Sequence, residues 1–265
     1  MPLLETEAIV LRSYRLGEAD KIVSLFSRQA GRLRAVASGA QRTKSRYGGV
    51  LEPLTYIRLW LFERENRDLL RINSAELLES FFVMQGAYAV HLAAQYVAEA
   101  SDRLLPEREA NERVFRLLLA VLRGLKAGGR VQGLQESHGE PDSIDAPLAY
   151  FNYWLLRLGG FLPQLDRCSV CGRAFGDEAA YYRDGALGLL CSRCRSAAAS
   201  RAVALDALAL GESIRRLPLE KWMANPAPPD AVHAARLLFE AWVEAAAEKK
   251  LVTRELLAQE ERRLE

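Results

Sequence analysis

The sequence predicts an α+β multidomain protein: a small amino-terminal β-barrel, then a mostly α-helical domain carrying an inserted four-cysteine ribbon. Three observations carry that prediction. Residues 1 to about 78 hold short runs of β-branched and aromatic residues with period-two alternation. Beyond Ser74 the apolar period lengthens to 3.6, the signature of amphipathic helices. All four cysteines lie in two C-x-x-C pairs, Cys168/Cys171 and Cys191/Cys194, with nineteen residues between the pairs. The expected domains are 1–78 and 79–265, with the cysteine element at about 165–197.

In chain order, Glu5 to Tyr14 predicts a strand buried on both sides, with Ala8 and Val10 on one face and Ile9 and Leu11 on the other. Leu16 to Asp20 is turn-like. Lys21 to Ser27 and Arg32 to Ala37 follow as strands around Gln29-Ala30-Gly31. Gly39 to Pro53 is polar, basic and glycine-containing, and predicts a long loop, with or without one helical turn. Leu54 to Phe62 is a strand, Glu65 to Asp68 a turn, and Leu69 to Asn73 a returning strand. Five short strands in about 75 residues suit a small closed barrel. The OB-fold is its common nucleic-acid version, and an SH3-like barrel would give the same pattern.

Helices are predicted at 75–100, at Arg108 to Leu125 and from Asp145, taken as an N-cap, to a stop at Gly159-Gly160. Further helices are expected at about 203–217 and 229–248, with a charged tail from Thr253. Residues 127–144 are a polar connector. Around the cysteines, Tyr181 to Arg183 and Leu187 to Leu190 predict a hairpin about Asp184-Gly185, and Gly172 suits a backbone with positive φ.

Four thiolates can close a tetrahedron around Zn²⁺, and two C-x₂-C knuckles at this separation are the spacing of a structural Cys₄ site. Two disulfides or a dithiol redox motif are the alternatives. The first suits a secreted chain and the second a βαβ setting, and the sequence offers neither context. Because helices flank the ribbon on both sides, the metal is expected to be structural. The first residues lack a secretory pattern and no run reaches membrane-span length, so a cytoplasmic location with no membrane partner is expected.

Net charge is only +2, but its distribution is uneven. From Lys21 to Leu51 there is no Asp or Glu, while Lys21, Arg28, Arg32, Arg34, Arg42, Lys44 and Arg46 give seven positive charges. Arg and Lys neutralise phosphates, so Arg28, Arg32, Arg34, Arg42, Lys44 and Arg46 are the candidate DNA-binding residues. Nearby Tyr14, Tyr47, Tyr56, Trp60 and Phe62 are able to stack bases, although core packing suits any single one of them better. No phosphate-binding glycine loop or nucleophile elbow is present. His91, His138 and His233 stand in unrelated contexts, and no catalytic residue is expected.

Several stretches stand out in order along the chain: Glu7-Ala8-Ile9-Val10-Leu11, Leu16-Gly17-Glu18-Ala19-Asp20-Lys21-Ile22-Val23 and Ser27-Arg28-Gln29-Ala30-Gly31. Ala37 to Ser45, Leu51-Glu52-Pro53-Leu54 and the run from Phe151 to Cys171 follow. In these residues, over about 5–255, the chain resembles the RecO family of bacterial recombination mediators. The resemblance implies an OB-fold, a helical carboxy-terminal domain and a Cys₄ zinc element whose ligands fall on Cys168, Cys171, Cys191 and Cys194. It also implies binding rather than catalysis, in DNA repair and recombination after DNA damage. Proteins of this kind bind single- and double-stranded DNA and anneal complementary strands. With RecR they help load RecA onto strands coated by single-stranded-DNA-binding protein, whose carboxy-terminal tail docks on the helical domain. The rivals are a zinc-dependent nucleic-acid-processing enzyme and an adaptor whose barrel binds protein.

Overall fold

The computed structural model describes residues 3–62, 69–81, 88–128, 144–176, 178–224 and 227–264. The predicted turn at 65–68, His138 and most of the connector at 127–144 lie outside them. The chain forms two compact units, residues 1–133 and 134–265. The first unit therefore includes two helices besides the strands, whereas the 78/79 division drawn from the sequence follows the change of period.

In the first unit, β1 (Leu3–Leu16), β2 (Asp20–Ser27), β3 (Gly31–Ala37), β4 (Thr55–Phe62) and β5 (Leu70–Ser80) close into a barrel in the order β1-β2-β3-β5-β4. The long β1 pairs with β2 through one half and β4 through the other, with an irregularity between Val10 and Arg12. All pairings are antiparallel except β3 with β5, a parallel seam of only Ala35↔Leu70 and Val36↔Arg71. Alternation sets the interior: Leu33, Ala35 and Ala37 of β3 and Ile57, Leu59 and Leu61 of β4 point inward. Ile9 and Leu11 are buried together with Ala8 and Val10, as the two-sided pattern of β1 predicts.

Two helices complete the unit, α1 (Tyr88–Leu104) and α2 (Glu112–Gly128). Asp102 near the end of α1 accepts a hydrogen bond from the Ser24 hydroxyl of β2 and lies 3.7 Å from Arg12 and 3.8 Å from Arg32. Phe115 of α2 meets the Tyr56 ring edge-on at 6.1 Å and the Arg28 guanidinium at 4.6 Å. The α1–α2 connection runs beside β3 where β5 does not reach. Arg32 and Glu107 form a parallel bridge, and the Arg108 N–H donates to the Arg32 carbonyl at 2.9 Å. This strap covers backbone groups that an open strand edge would expose.

One helix prediction fails here. Residues 75–80 are strand, paired Ile57↔Leu77 and Thr55↔Ser80, residues 82–87 lie outside the described ones, and α1 covers Tyr88–Leu104. Ala-Glu-Leu-Leu-Glu favours helix locally, but the open edge of β4 supplies a ladder that overrides propensity. The segment after β3 contains turns without any helical element, and its Tyr47 is buried in the barrel core, donating its hydroxyl to the Ile72 carbonyl at 3.1 Å.

The second unit comprises α3 (Asp145–Leu158), β6 (Ala180–Tyr182), β7 (Arg201–Val203), α4 (Leu205–Arg216), α5 (Leu219–Met223), α6 (Pro229–Ala247) and α7 (Val252–Leu264). Helices α3 and α6 pack through Tyr153 and Phe239, whose rings meet edge-on at 5.8 Å. Asp145 is not the N-cap of α3. Ile144 holds that position, and the Asp145 carboxylate is taken by Arg236 at 2.6 Å and His233 at 3.1 Å. Arg236 is buried and also pairs with Glu240 at 3.1 Å and with Glu261, tying α3, α6 and α7 together. Among the described residues no helix is long and apolar enough to cross a membrane.

Gly31 fixes the strap. Its φ is +66°, and a Cβ there would lie 2.0 Å from the Glu109 carbonyl oxygen, whereas Gly17, at φ +60°, has open space around it. Gly31→Ala is expected to destabilise the chain more than Gly17→Ala. The latter should cost about 1–2 kcal/mol through the left-handed backbone alone, and urea unfolding of both variants measures the difference.

Candidate nucleic-acid interface and four-cysteine centre

The seven cations of the acid-free segment do not form one open surface. Carboxylates distant in sequence engage four of them. Lys21 pairs with Glu52 at 2.6 Å. Arg28 pairs with Glu7 and, at 3.3 Å, with Glu112. Arg32 donates its Nε–H to the Leu105 carbonyl at 2.7 Å and lies 3.3 Å from Glu107. Arg34 meets the same Glu107 oxygen at 3.1 Å. Arg32 and Arg34, two apart on β3, do share one outward face, as the strand spacing predicts.

The remaining three, Arg42, Lys44 and Arg46, are exposed and have no carboxylate partner among the described residues. Their loop is fixed at its start. Asp20 accepts the Gly39 N–H at 2.8 Å, and the Gln41 N–H reaches the Ala19 carbonyl at 2.9 Å. Further along, Arg46 donates to the Tyr47 hydroxyl at 2.7 Å, so the buried ring anchors the last of the three cations.

Register places two more cations at the rim from which this loop departs. Arg15 pairs across β1–β2 with Lys21, which pairs with Ala37 at the end of β3, and Arg71 pairs with Val36 across the β3–β5 seam. Both are exposed without a carboxylate partner among the described residues. They fall outside the acid-free window, so charge counting along the chain misses them. Only the strand register could have pointed to them.

Of the five aromatics near the basic segment, Tyr47 and Tyr56 are buried. Burial, reinforced by the hydrogen bond that the Tyr56 hydroxyl donates to Glu7, pushes that phenol up to about 12, so it stays a neutral donor. Tyr14 is exposed, with the Arg12 guanidinium 5.6 Å from its ring centroid, and offers the open stacking face.

In the second unit, the four cysteine sulfurs lie within 4.8 Å of one another and none is disulfide-bonded. Two tight turns present them. The Gly172 N–H returns to the Cys168 carbonyl at 2.9 Å with Gly172 at φ +72°, and the Cys194 N–H returns to the Cys191 carbonyl at 3.1 Å. The turns are joined where Ser169 donates its N–H and its hydroxyl to the Leu189 carbonyl, at 2.8 and 3.0 Å. Gly188 makes this approach possible, since a Cβ there would lie 2.8 Å from the Ser169 hydroxyl. The predicted hairpin forms as one bridge only, Tyr181↔Leu190, while β6 also pairs with β7.

The donor set fits a metal. Burial pushes the Cys168 thiol up, but backbone N–H groups of Cys171, Cys191 and Val170 outweigh it and bring it down to about 6. Cys191 is likewise lowered against its burial by the N–H groups of Cys194 and Arg193. Cys194 is pushed up to about 12, chiefly by its hydrogen bonds with Cys191 and Cys171 and by burial, so without an ion the cluster keeps protons between its sulfurs. The Cys171–Cys191 sulfur separation of 3.8 Å equals the tetrahedral edge of about 3.8 Å that Zn–S bonds of about 2.3 Å require. These four cysteines could bind a metal ion. Asp145, His233 and Glu261 also gather within 4.8 Å, but Arg236 binds both carboxylates, making that cluster an ion-pair network.

Fold and sites together define a two-part protein, a small barrel with a cationic rim and a helical unit with a Cys₄ element. The family described as "Recombination protein O N terminal" matches residues 1–81, and "Recombination protein O C terminal" matches residues 86–255. A "DNA repair protein RecO" of Koribacter versatilis (strain Ellin345) is 38% identical over 251 residues, covering 95% of this chain and 96% of that protein. Proteins of the same name are 39% identical over 73% of this chain and 75% of theirs in a Nocardioides species, and 35% identical over 74% and 73% in a Thermoanaerobacter species. The chain belongs to the RecO family of DNA repair proteins.

Cys191→Ser is expected to lower metal content well below one equivalent per chain, measured by elemental analysis. The same change should lower the melting temperature by about 5 °C or more.

Proposed function

We propose that this chain is a non-enzymatic recombination mediator that binds single- and double-stranded DNA through the rim of its barrel and anneals complementary strands. The observation that carries the reading is the trio Arg42, Lys44 and Arg46, exposed on an anchored loop with no carboxylate partner among the described residues. Two further features support it. The order β1-β2-β3-β5-β4 with a parallel β3–β5 seam is that of an OB-fold, a barrel that commonly binds oligonucleotides. The exposed Tyr14, with the Arg12 guanidinium over its ring, supplies a stacking surface.

The mechanism makes and breaks no covalent bond. Cations at the rim neutralise backbone phosphates and release their counterions, which lowers the repulsion between two strands brought together to pair. Zn²⁺ held by Cys168, Cys171, Cys191 and Cys194 would be structural, with every coordination position taken by a thiolate. Family membership suggests the wider role: work with RecR in loading RecA, with the carboxy-terminal tail of single-stranded-DNA-binding protein docked on the helical unit, in the bacterial cytoplasm at the nucleoid.

The triple variant Arg42→Ala/Lys44→Ala/Arg46→Ala tests the interface. Each phosphate contact on a single strand contributes about 0.7 to the slope of log affinity against log salt, so losing three should flatten it by about 2. Fluorescence titration of a labelled oligonucleotide over a salt series measures this. Unchanged affinity and slope would remove the loop from the interface.

A further inference from the structure

The strap between α1 and α2 carries two acidic residues, and one of them, Glu107, lies against the arginines of β3. Its position is fixed by the Arg32↔Glu107 bridge, by the Arg108 N–H to the Arg32 carbonyl, and by the packing of the Glu109 carbonyl against Gly31. One carboxylate oxygen of Glu107 touches two guanidinium groups, Arg32 at 3.3 Å and Arg34 at 3.1 Å. The two arginines differ in their other partners. Arg32, its side chain 17% exposed, is also held by the Leu105 carbonyl and faces Asp102. Arg34, 48% exposed, has Glu107 as its only carboxylate partner among the described residues and engages it through Nε at 3.1 Å.

We propose that Arg34 is a phosphate-binding subsite whose resident carboxylate, Glu107, is displaced when a nucleic-acid strand lies along β3. The inference rests on the nucleic-acid reading of the rim and extends the binding path onto the β3 face. Arg34 projects from the same face of β3 as Val36, about 6.6 Å further along the strand, and Val36 is the register partner of Arg71, which has no carboxylate partner among the described residues. The path thus continues from Arg71 to Arg34. Exchange at this position is feasible because an ion pair this open to water contributes little by itself, and a phosphate makes a stronger fork with the guanidinium than a single carboxylate oxygen does. Arg32 remains with the Leu105 carbonyl and Asp102, so the strap stays in place while Glu107 gives up only Arg34.

The test is a double-mutant cycle read by binding of a fluorescein-labelled oligothymidylate at several sodium chloride concentrations. Glu107→Gln should bind roughly three- to five-fold more tightly than wild type at low salt, the scale of one exposed ion pair. Arg34→Ala should bind more weakly, and Glu107→Gln/Arg34→Ala no more tightly than Arg34→Ala alone. Glu109→Gln removes the same charge two residues along the strap and should give a distinctly smaller gain. Glu107→Ala supplies a second removal of the carboxylate. The proposal is overturned if neither Glu107 variant binds more tightly, if the gain survives in the double variant, or if Glu109→Gln matches it, since a general field would then explain the effect. Failure of the wild-type chain to bind the oligonucleotide would instead overturn the proposed function itself.

Discussion

Guanidinium groups crowded on one strand face repel one another unless carboxylates come to meet them, and that requirement governs the first unit. Asp102 accepts from Ser24 and faces Arg12 and Arg32, so a single side chain near the end of α1 addresses β1, β2 and β3 together. Glu107 then joins Arg32 to Arg34. Because these carboxylates belong to the helix and the strap, neutralising the strands also docks α1 and closes the β3 edge that β5 leaves open. At the rim, among the described residues, the loop trio, Arg15 and Arg71 are left without a carboxylate partner.

The second unit solves a related problem in a drier setting. Arg236 on α6 is buried beside Glu240, also buried, and reaches Asp145 on α3 and Glu261 on α7. Burial pushes the Glu240 carboxyl up against the pull of Arg236 and Arg254, whereas Arg236 itself is raised by its carboxylates against its burial. Such a network is costly to desolvate, and removing one partner would leave an uncompensated buried charge. The cysteine cluster imposes a second local constraint by converging two knuckles separated by nineteen residues. Both constraints act beside an aromatic core in which Tyr153, Phe239 and Trp242 are buried.

Much of this was legible because it is local. Alternation announced β1 to β4, the glycine pair ended α3 at Leu158, and C-x-x-C spacing marked the knuckles before any sulfur was placed. What was not legible depends on partners distant in the chain. Residues 75–80 carry helix formers, yet they are strand because β4 lies beside them. Asp145 has the identity and position of an N-cap, yet Arg236, ninety-one residues later in the numbering, takes its carboxylate. The seven cations read as one patch along the chain, but four are met by Glu7, Glu52, Asp102, Glu107 and Glu112. The three-residue β7 has no periodicity to detect, so the ribbon's main pairing stayed hidden behind a plausible hairpin.

The central claim is that this chain acts on nucleic acid by neutralising and juxtaposing strands, without bond-breaking chemistry. Its most direct measurement mixes the purified protein with two complementary labelled oligonucleotides in the presence of Mg²⁺ and follows duplex formation and strand length on denaturing and native gels. The account predicts faster pairing than in buffer alone, slowed by added salt, with both strands recovered at full length. Shortened strands, or pairing no faster than the uncatalysed rate at any salt concentration, would contradict it.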